Sequence, residues 1–216
     1  MTLIGYESEE EFLLINSLPL DNPFNASTKR CFDILFSAIA IGLSFPLMTV
    51  IAIFIKLSSK GPVLFKQERI GKDNVPFVMY KFRTMYISDE FSASTRWTIQ
   101  DDPRVTGFGA FLRRTSLDEL PQFFNVMKGH MSISGPRPER LYFVNEFAEF
   151  FPDYHFRHKI KPGITGWAQV NGWRGDTSIQ TRLEYDIYYI RNWSLWLDVK
   201  IIFLTITQGL WAPNAY

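Results

Sequence analysis

The sequence predicts an α+β protein, mostly helical, with a small β-hairpin and a membrane-embedded helix near its N-terminus. Three observations carry that prediction. Residues Ile34–Ile55 include no charged side chain. Two short β-rich runs, Val63–Lys66 and Phe77–Phe82, are separated by Gly- and Asn-containing turns. Three later segments repeat apolar residues at helical spacing. Two dense polar motifs stand beside the apolar run: TSLDELPQ at Thr115–Gln122 and GPRPE at Gly135–Glu139. Carboxylates and arginines next to a membrane element imply chemistry at a bilayer surface.

The 216 residues suffice for one domain plus a membrane element. Hydrophobic residues make up 46% of the chain and aromatics 16%, enough for a core with some left for lipid. A net charge of +1 gives no global field to select nucleic acid or an acidic partner. The lone cysteine, Cys31, excludes an internal disulfide and a multi-cysteine metal site. The first 28 residues hold five acidic side chains and no basic one, unlike a signal peptide. They read as a flexible tail or as a short helix around Glu9–Leu18.

Ile34–Ile55 is long enough to cross the ~30 Å hydrocarbon core, which takes roughly 20 helical residues. Pro46 lacks a backbone donor and crowds the preceding turn, so a break or kink is expected there. The Ser44 hydroxyl can bond a carbonyl freed by the break. Lys29 and Arg30 precede the run, and Lys56 and Lys60 follow it, so the positive-inside tendency draws both ends to the cytoplasm. A bent helix that enters and leaves by one face fits these features. A kinked single span is the competing form, and a buried core helix the weaker third, because the run has hardly any polar face.

After the hairpin, Ile87–Asp102 reads as a polar loop with a short helix. Val105–Arg113 then leads into a helix marked by Leu117, Leu120, Phe123, Phe124 and Met127 and closed by Gly129. Pro138–Phe151 forms another helix, with a stripe of Leu141, Val144, Phe147, Ala148 and Phe151. Lys161–Gly166 (KPGITG) reads as a turn-rich loop. Thr181–Leu210 is a long aromatic helical region, and its apolar end, Ile201–Leu210, is too short to span a bilayer. Trp193, Trp196, Tyr188, Tyr189 and Trp211 suit either a membrane interface or ordinary core packing.

Asp118 and Glu119 lie in the first turn of the helix read from 116 onward. Ser116-x-x-Glu119 fits a capping box, whereas Pro121 in the first turn makes Asp118 the N-cap. Either register sets two carboxylates beside free backbone N–H groups, where anions are favoured. Such a carboxylate serves as a nucleophile, as a ligand for a divalent cation, or simply as a cap. Arg137 is flanked by prolines that fix its backbone, so its fork is cheaply aimed at phosphate. Arg113 and Arg114 precede the dyad, and Lys81 and Arg83 alternate with Tyr80 and Phe82 on a strand. Each alone reads as a surface charge; together they can line a pyrophosphate site. His130, His155 and His158 lack metal-ligand spacing. No Walker loop, G-x-G-x-x-G or G-x-S-x-G element occurs.

These residues resemble a known family. KRCFD (29–33), GPVLFKQERIG (61–71), YKFRTM (80–85), LRRTSLDELPQFFNVMKGHMSISGPRPE (112–139) and KPGITGWAQVNGWRG (161–175) are similar, in this order, to motifs of the bacterial sugar transferases, the small monotopic phosphoglycosyl transferases. The likeness runs from Lys29 to Tyr216. Beyond the acidic tail over 1–28, it implies a re-entrant helix-break-helix over 29–60, a cytoplasmic-face catalytic domain over 61–216 and interfacial amphipathic helices. It implies transfer of a sugar 1-phosphate from a UDP-sugar to undecaprenyl phosphate in the bacterial cytoplasmic membrane. Asp118 would be the nucleophile that forms a phosphosugar-enzyme intermediate, and Glu119 its partner, both holding Mg²⁺. Lys81, Arg113 and Arg137 would contact phosphate, and Asp198 would support them. The family's helix bends at a Ser-Pro pair. Here the order is Ser44-Phe45-Pro46, which keeps the proline and displaces the serine.

GWRGDTSIQTRLEYDIYYIRNWSLWLDVK and the ending NAY resemble members that begin exopolysaccharide with glucose or galactose 1-phosphate. Many of those carry a large N-terminal membrane region that this sequence does not show. An N-acetylated amino sugar is the runner-up substrate, and a homodimer is compatible with the likeness. Two rival classes remain: a phosphohydrolase that passes the intermediate to water, and a non-catalytic scaffold of a polysaccharide pathway.

Overall fold

A computed structural model describes residues 17–86, 102–175 and 177–209. The loop expected over 87–102, the short helix expected around Glu9–Leu18 and Trp211 therefore lie wholly or mostly outside the described residues. Helix α1, Pro23–Ser58, leads into the antiparallel hairpin β1 (Leu64–Ile70) and β2 (Pro76–Phe82). Helix α2 (Gly107–Arg114) is followed by a 3-10 turn at Leu117–Glu119, helix α3 (Gln122–Met127) and strand β3 (Ser132–Ser134). Helix α4 (Leu141–Phe150), a 3-10 segment at Pro152–Lys159, strand β4 (Gly163–Thr165) and helices α5 (Trp167–Val170), α6 (Ile179–Arg191) and α7 (Leu195–Gly209) complete the chain. The mostly helical α+β reading and its hairpin hold.

The hairpin pairs Leu64 with Phe82 and Ile70 with Pro76. Its turn sets Asp73 and Asn74 at φ 55° and 59°, a left-handed conformation that Asn and Asp tolerate. KPGITG is more than a turn: Gly163–Thr165 pairs in parallel with β3, Ser132 to Gly163 and Ser134 to Thr165. The strands come this close because Gly135 and Gly163 lack side chains; a Cβ on Gly135 would sit 2.6 Å from the Lys161 carbonyl oxygen. The region read as one helix from Thr181 is two. The Asn192 side chain caps the Tyr188 carbonyl at 2.9 Å, and Ser194 Oγ accepts from Leu197 N at 3.2 Å to start α7.

Helix α1 begins at Pro23, capped by Asn22, six residues before the expected boundary at 29. Leu18 ahead of it is 4% exposed and packs into the core with Val144, Ile187 and Ile190, which seats the chain just before α1 on the body. The backbone stays helical through Pro46. The proline removes one donor, to the Gly42 carbonyl, without a non-helical break. Ser44 Oγ donates to the Ala40 carbonyl at 2.6 Å, a back-bond to a carbonyl two residues before the one the proline frees.

Both ends of α1 are seated on the body. Near its start Lys29, Asp33 and Ser37 are buried, and Asp33 Oδ1 accepts from Ser132 Oγ at 2.9 Å and Ile133 N at 3.0 Å. Near its end Met48, Ile51 and Ile55 pack with Phe82 and Leu112. Between the seats Ile39, Leu43 and Phe45 are exposed. Trp196, Val199, Phe203 and Ile206 form an exposed apolar stripe on α7, the amphipathic face the sequence predicts, while Trp193 and Tyr189 are core.

Candidate active site

Four separate stretches converge on Asp118 and Glu119. Strand β2 delivers Lys81 next to its end. The last turn of α2 delivers Arg113. The chain then reverses at Ser116, whose φ of 55° is left-handed, into the 3-10 turn that carries the dyad. The turn after β3 delivers Arg137 between Pro136 and Pro138. The loop between α5 and α6 delivers Arg174.

Glu119 is the hub. Its Oε1 lies 2.8 Å from Lys81 Nζ, 2.8 Å from Arg137 Nη2 and 3.9 Å from Arg174 Nη2. Asp118 Oδ2 lies 4.0 Å from the same Lys81 Nζ. Arg113 directs Nε to Thr84 Oγ1 at 2.9 Å, and its charge favours the Asp118 carboxylate. Both acids are buried, each 8% exposed. Burial raises the Asp118 pKa and the adjacent Glu119 charge adds to it, with Lys81 and Arg113 opposing. Burial also acts to raise Glu119, but Arg137, Lys81 and Arg174 outweigh it and hold that carboxyl well below its ordinary range. The dyad is thus split into a clamp, Glu119, whose ionised form the cations favour, and a neighbour, Asp118, that is less tightly paired.

The capping box does not form. Ser116 makes no side-chain cap, and the Glu119 and Leu120 N–H groups are used inside the turn, by the Ser116 carbonyl at 3.2 Å and the Leu117 carbonyl at 3.3 Å. Side-chain cations brought from a distance, rather than amides of a helix start, supply the positive field. Of the other arginines considered, Arg83 ties β2 to the end of α1 through the Ser59 and Lys60 carbonyls, at 2.8 and 2.7 Å, and Arg114 is exposed.

Arg137 is braced from behind. Its carbonyl accepts from Arg157 Nη2 at 2.9 Å, and the same nitrogen pairs with Asp186 at 2.8 Å. Glu139, two residues on, lies 3.4 Å from both Arg69 and Arg182. Asp198 does not join the dyad. Its Oδ2 accepts from Lys29 Nζ at 2.8 Å and Trp193 Nε1 at 3.1 Å, and Tyr189 completes a buried cluster. Lys29 and Tyr189 both donate to the Ser134 carbonyl, at 3.2 and 2.9 Å, three residues ahead of Arg137. Asp198 therefore supports the site through the backbone of β3. Ser44 and Pro46 belong to α1.

Sequence reasoning missed Arg174, Arg157 and Thr84. Arg174 had one signal, its place between Trp173 and Gly175 inside the longest polar linker of the C-terminal half. Arg157 had none, because its role is set by the carbonyl it grips.

No group of three or more His, Cys, Asp or Glu side chains that could hold a metal occurs among the described residues. Mg²⁺ needs only one or two protein carboxylates when substrate phosphates complete its shell. Glu119 Oε1 is committed to lysine and arginine, which leaves its other oxygen and Asp118 to bind the ion. The donor set fits Mg²⁺ that arrives with a phosphorylated ligand.

The family described as "Bacterial sugar transferase" matches residues 24–212. A protein of Escherichia coli (strain K12), named UDP-glucose:undecaprenyl-phosphate glucose-1-phosphate transferase, is 47% identical over 215 residues, covering 96% of this chain and 46% of that one. An Aeromonas hydrophila protein named UDP-N-acetylgalactosamine-undecaprenyl-phosphate N-acetylgalactosaminephosphotransferase is 49% identical over 189 residues, covering 87% of this chain and 44% of its own. The "Exopolysaccharide production protein PSS" of Rhizobium leguminosarum bv. phaseoli is 43% identical over 189 residues, covering 84% of this chain and 94% of its own. The chain thus spans just under half the length of the first two and nearly all of the third.

Proposed function

This chain belongs to the bacterial sugar transferase family, and from that premise we propose that it transfers a sugar 1-phosphate from a UDP-sugar to undecaprenyl phosphate, releasing UMP. The observation that carries this reading is Glu119 ionised under Lys81 and Arg137 with Asp118 beside it. That arrangement offers a carboxylate nucleophile next to cations that can take phosphate charge.

In the first step an Asp118 oxygen attacks the sugar-bearing phosphorus. The P–O bond to the nucleotide breaks, and the electron pair leaves with UMP. In the second step the lipid phosphate oxygen attacks the same phosphorus, and the Asp118 carboxylate departs. Lys81, Arg113 and Arg137 offset the repulsion between anions that must meet. Asp118 and Glu119 would hold Mg²⁺, which when bound supplies further charge neutralisation to the diphosphate. The retained Glu119–Arg137 contact fixes the geometry through both steps.

Glucose or galactose 1-phosphate is the group we assign, and the name of the Escherichia coli relative supports glucose. The Aeromonas relative supports an N-acetylated amino sugar as the second reading.

A cytoplasmic-face, monotopic placement is supported by the two seats of α1. Thirty-six residues of helix extend about 54 Å. A helix crossing the bilayer would carry one seat to the far side, away from the body that buries both. The exposed middle of α1 and the stripe on α7 then face lipid.

The test is UMP release over a panel of UDP-sugars with undecaprenyl phosphate and Mg²⁺, together with the intact mass of protein exposed to donor alone. A phosphohexose adduct at Asp118, absent in Asp118→Asn, is expected. Free sugar phosphate formed without lipid would assign the hydrolase instead.

A further inference from the structure

We propose that Arg174 is the cation that leaves Glu119 to receive the departing nucleoside monophosphate of a nucleotide diphosphate sugar. The inference rests on the transfer reaction above and assigns a role that the dyad, Lys81, Arg113 and Arg137 do not fill.

Glu119 Oε1 already has two partners at 2.8 Å, Lys81 and Arg137. Arg174 stands off at 3.9 Å, beyond hydrogen-bond reach. Arg113 has its Nε on Thr84. Arg174 is therefore the cation of the site that can re-aim without uncovering Glu119. Its guanidinium carries five donors in a fork that matches phosphate bidentately.

The loop holds the backbone while leaving the side chain free. Trp173 packs on Tyr185 with ring centres 6.2 Å apart. Arg182 Nη2 donates to the Gly175 carbonyl at 2.6 Å, and Arg182 is itself paired with Glu139. Gly172 and Gly175, at φ 87° and 74°, allow the tight path between these anchors. The Arg174 side chain is 24% exposed, so it reaches from the buried dyad to the mouth.

Charge points the same way. At full ionisation Lys81, Arg113, Arg137 and Arg174 outnumber Asp118 and Glu119 by two positive charges; Asp102 and Glu139, which also act on Arg113 and Arg137, are paired with Arg104 and with Arg69 and Arg182. A diphosphate diester carries two negative charges. When the Asp118–phosphorus bond forms and the phosphoanhydride bond breaks, new charge appears on the leaving phosphate oxygen. A mobile guanidinium beside it stabilises that charge where it develops.

The experiment separates the half-reactions in Arg174→Gln and Arg174→Lys, with folding checked by thermal melting. Adduct formation and UMP release from UDP-glucose without lipid report the first half. Discharge of pre-formed adduct to undecaprenyl phosphate reports the second. Arg174→Gln should slow adduct formation about 100-fold and weaken inhibition by UMP about tenfold, while discharge keeps the wild-type rate; Arg174→Lys should recover part of both losses. Unchanged adduct formation and UMP inhibition would overturn the role, and so would an equal slowing of both halves. A wild-type protein that forms no adduct would instead remove the transfer reading beneath it.

Discussion

Asp118 and Glu119 are neighbours in sequence with opposite environments, and substitution should expose the difference. Glu119 is the nearest counter-charge for Lys81 and Arg137, so Glu119→Gln strips both buried cations of their 2.8 Å partner and should cost about 3–5 kcal/mol of stability. Burial disfavours the Asp118 charge, so Asp118→Asn should melt at or above the wild-type temperature. Both should lose transfer. A melting curve for each beside the transfer assay separates the clamp from the nucleophile, and equal destabilisation would contradict the division. Arg137→Lys keeps the charge and loses the fork, so transfer should fall while the fold persists. The identities of these residues were legible in the sequence. Which of the two carboxylates takes the closest cations was not, because it depends on where the distant Lys81 and Arg137 reach.

Lys29 and Asp198 join α1 to α7 at 2.8 Å, and both are buried. Removing either charge alone strands the other. Lys29→Met or Asp198→Asn should each cost about 3–5 kcal/mol, while the double variant should recover much of that loss. Thermal melting of the three proteins in detergent gives the coupling directly. Simple additivity would mean that the pair does not hold the helices together. The hairpin turn meets the 3-10 segment in a different way. His158 Nδ1 lies 2.7 Å from Asn74 Oδ1, and burial, Arg157 and His155 together depress its pKa to about 3. The unfolded chain binds a proton on this ring from about pH 6.5 downward, whereas the fold refuses it until about pH 3. Stability from this contact is therefore complete above the unfolded value and is lost as pH falls through that window. The melting temperature should drop between pH 7 and pH 5, and His158→Gln should flatten the drop. Element types were largely readable from periodicity. The misreadings fall where tertiary partners chose the backbone: Ser116 turned left-handed instead of capping, Gly163–Thr165 became a strand because β3 lies beside it, and Asn192–Ser194 split a helical pattern.

At the level of the whole molecule, α1 is a strut whose two ends hold one body. Ser27 and Lys60 lie just outside the two seats. Single cysteines at these positions, in a Cys31→Ser background, should both label from the cytoplasmic side of oriented membranes. Labelling from opposite sides would establish a spanning helix.

The charge-free run, the hairpin and the order of polar motifs were determined by sequence alone, because hydrophobic spacing and turn chemistry act over a few residues. That order also carried the family likeness. Tertiary structure decided which cations meet Glu119, why Asp198 serves α1 rather than the dyad, and that Arg174 belongs at the site. Those contacts join residues from 18 to 169 positions apart, and burial fixes their strength. No local pattern records either property.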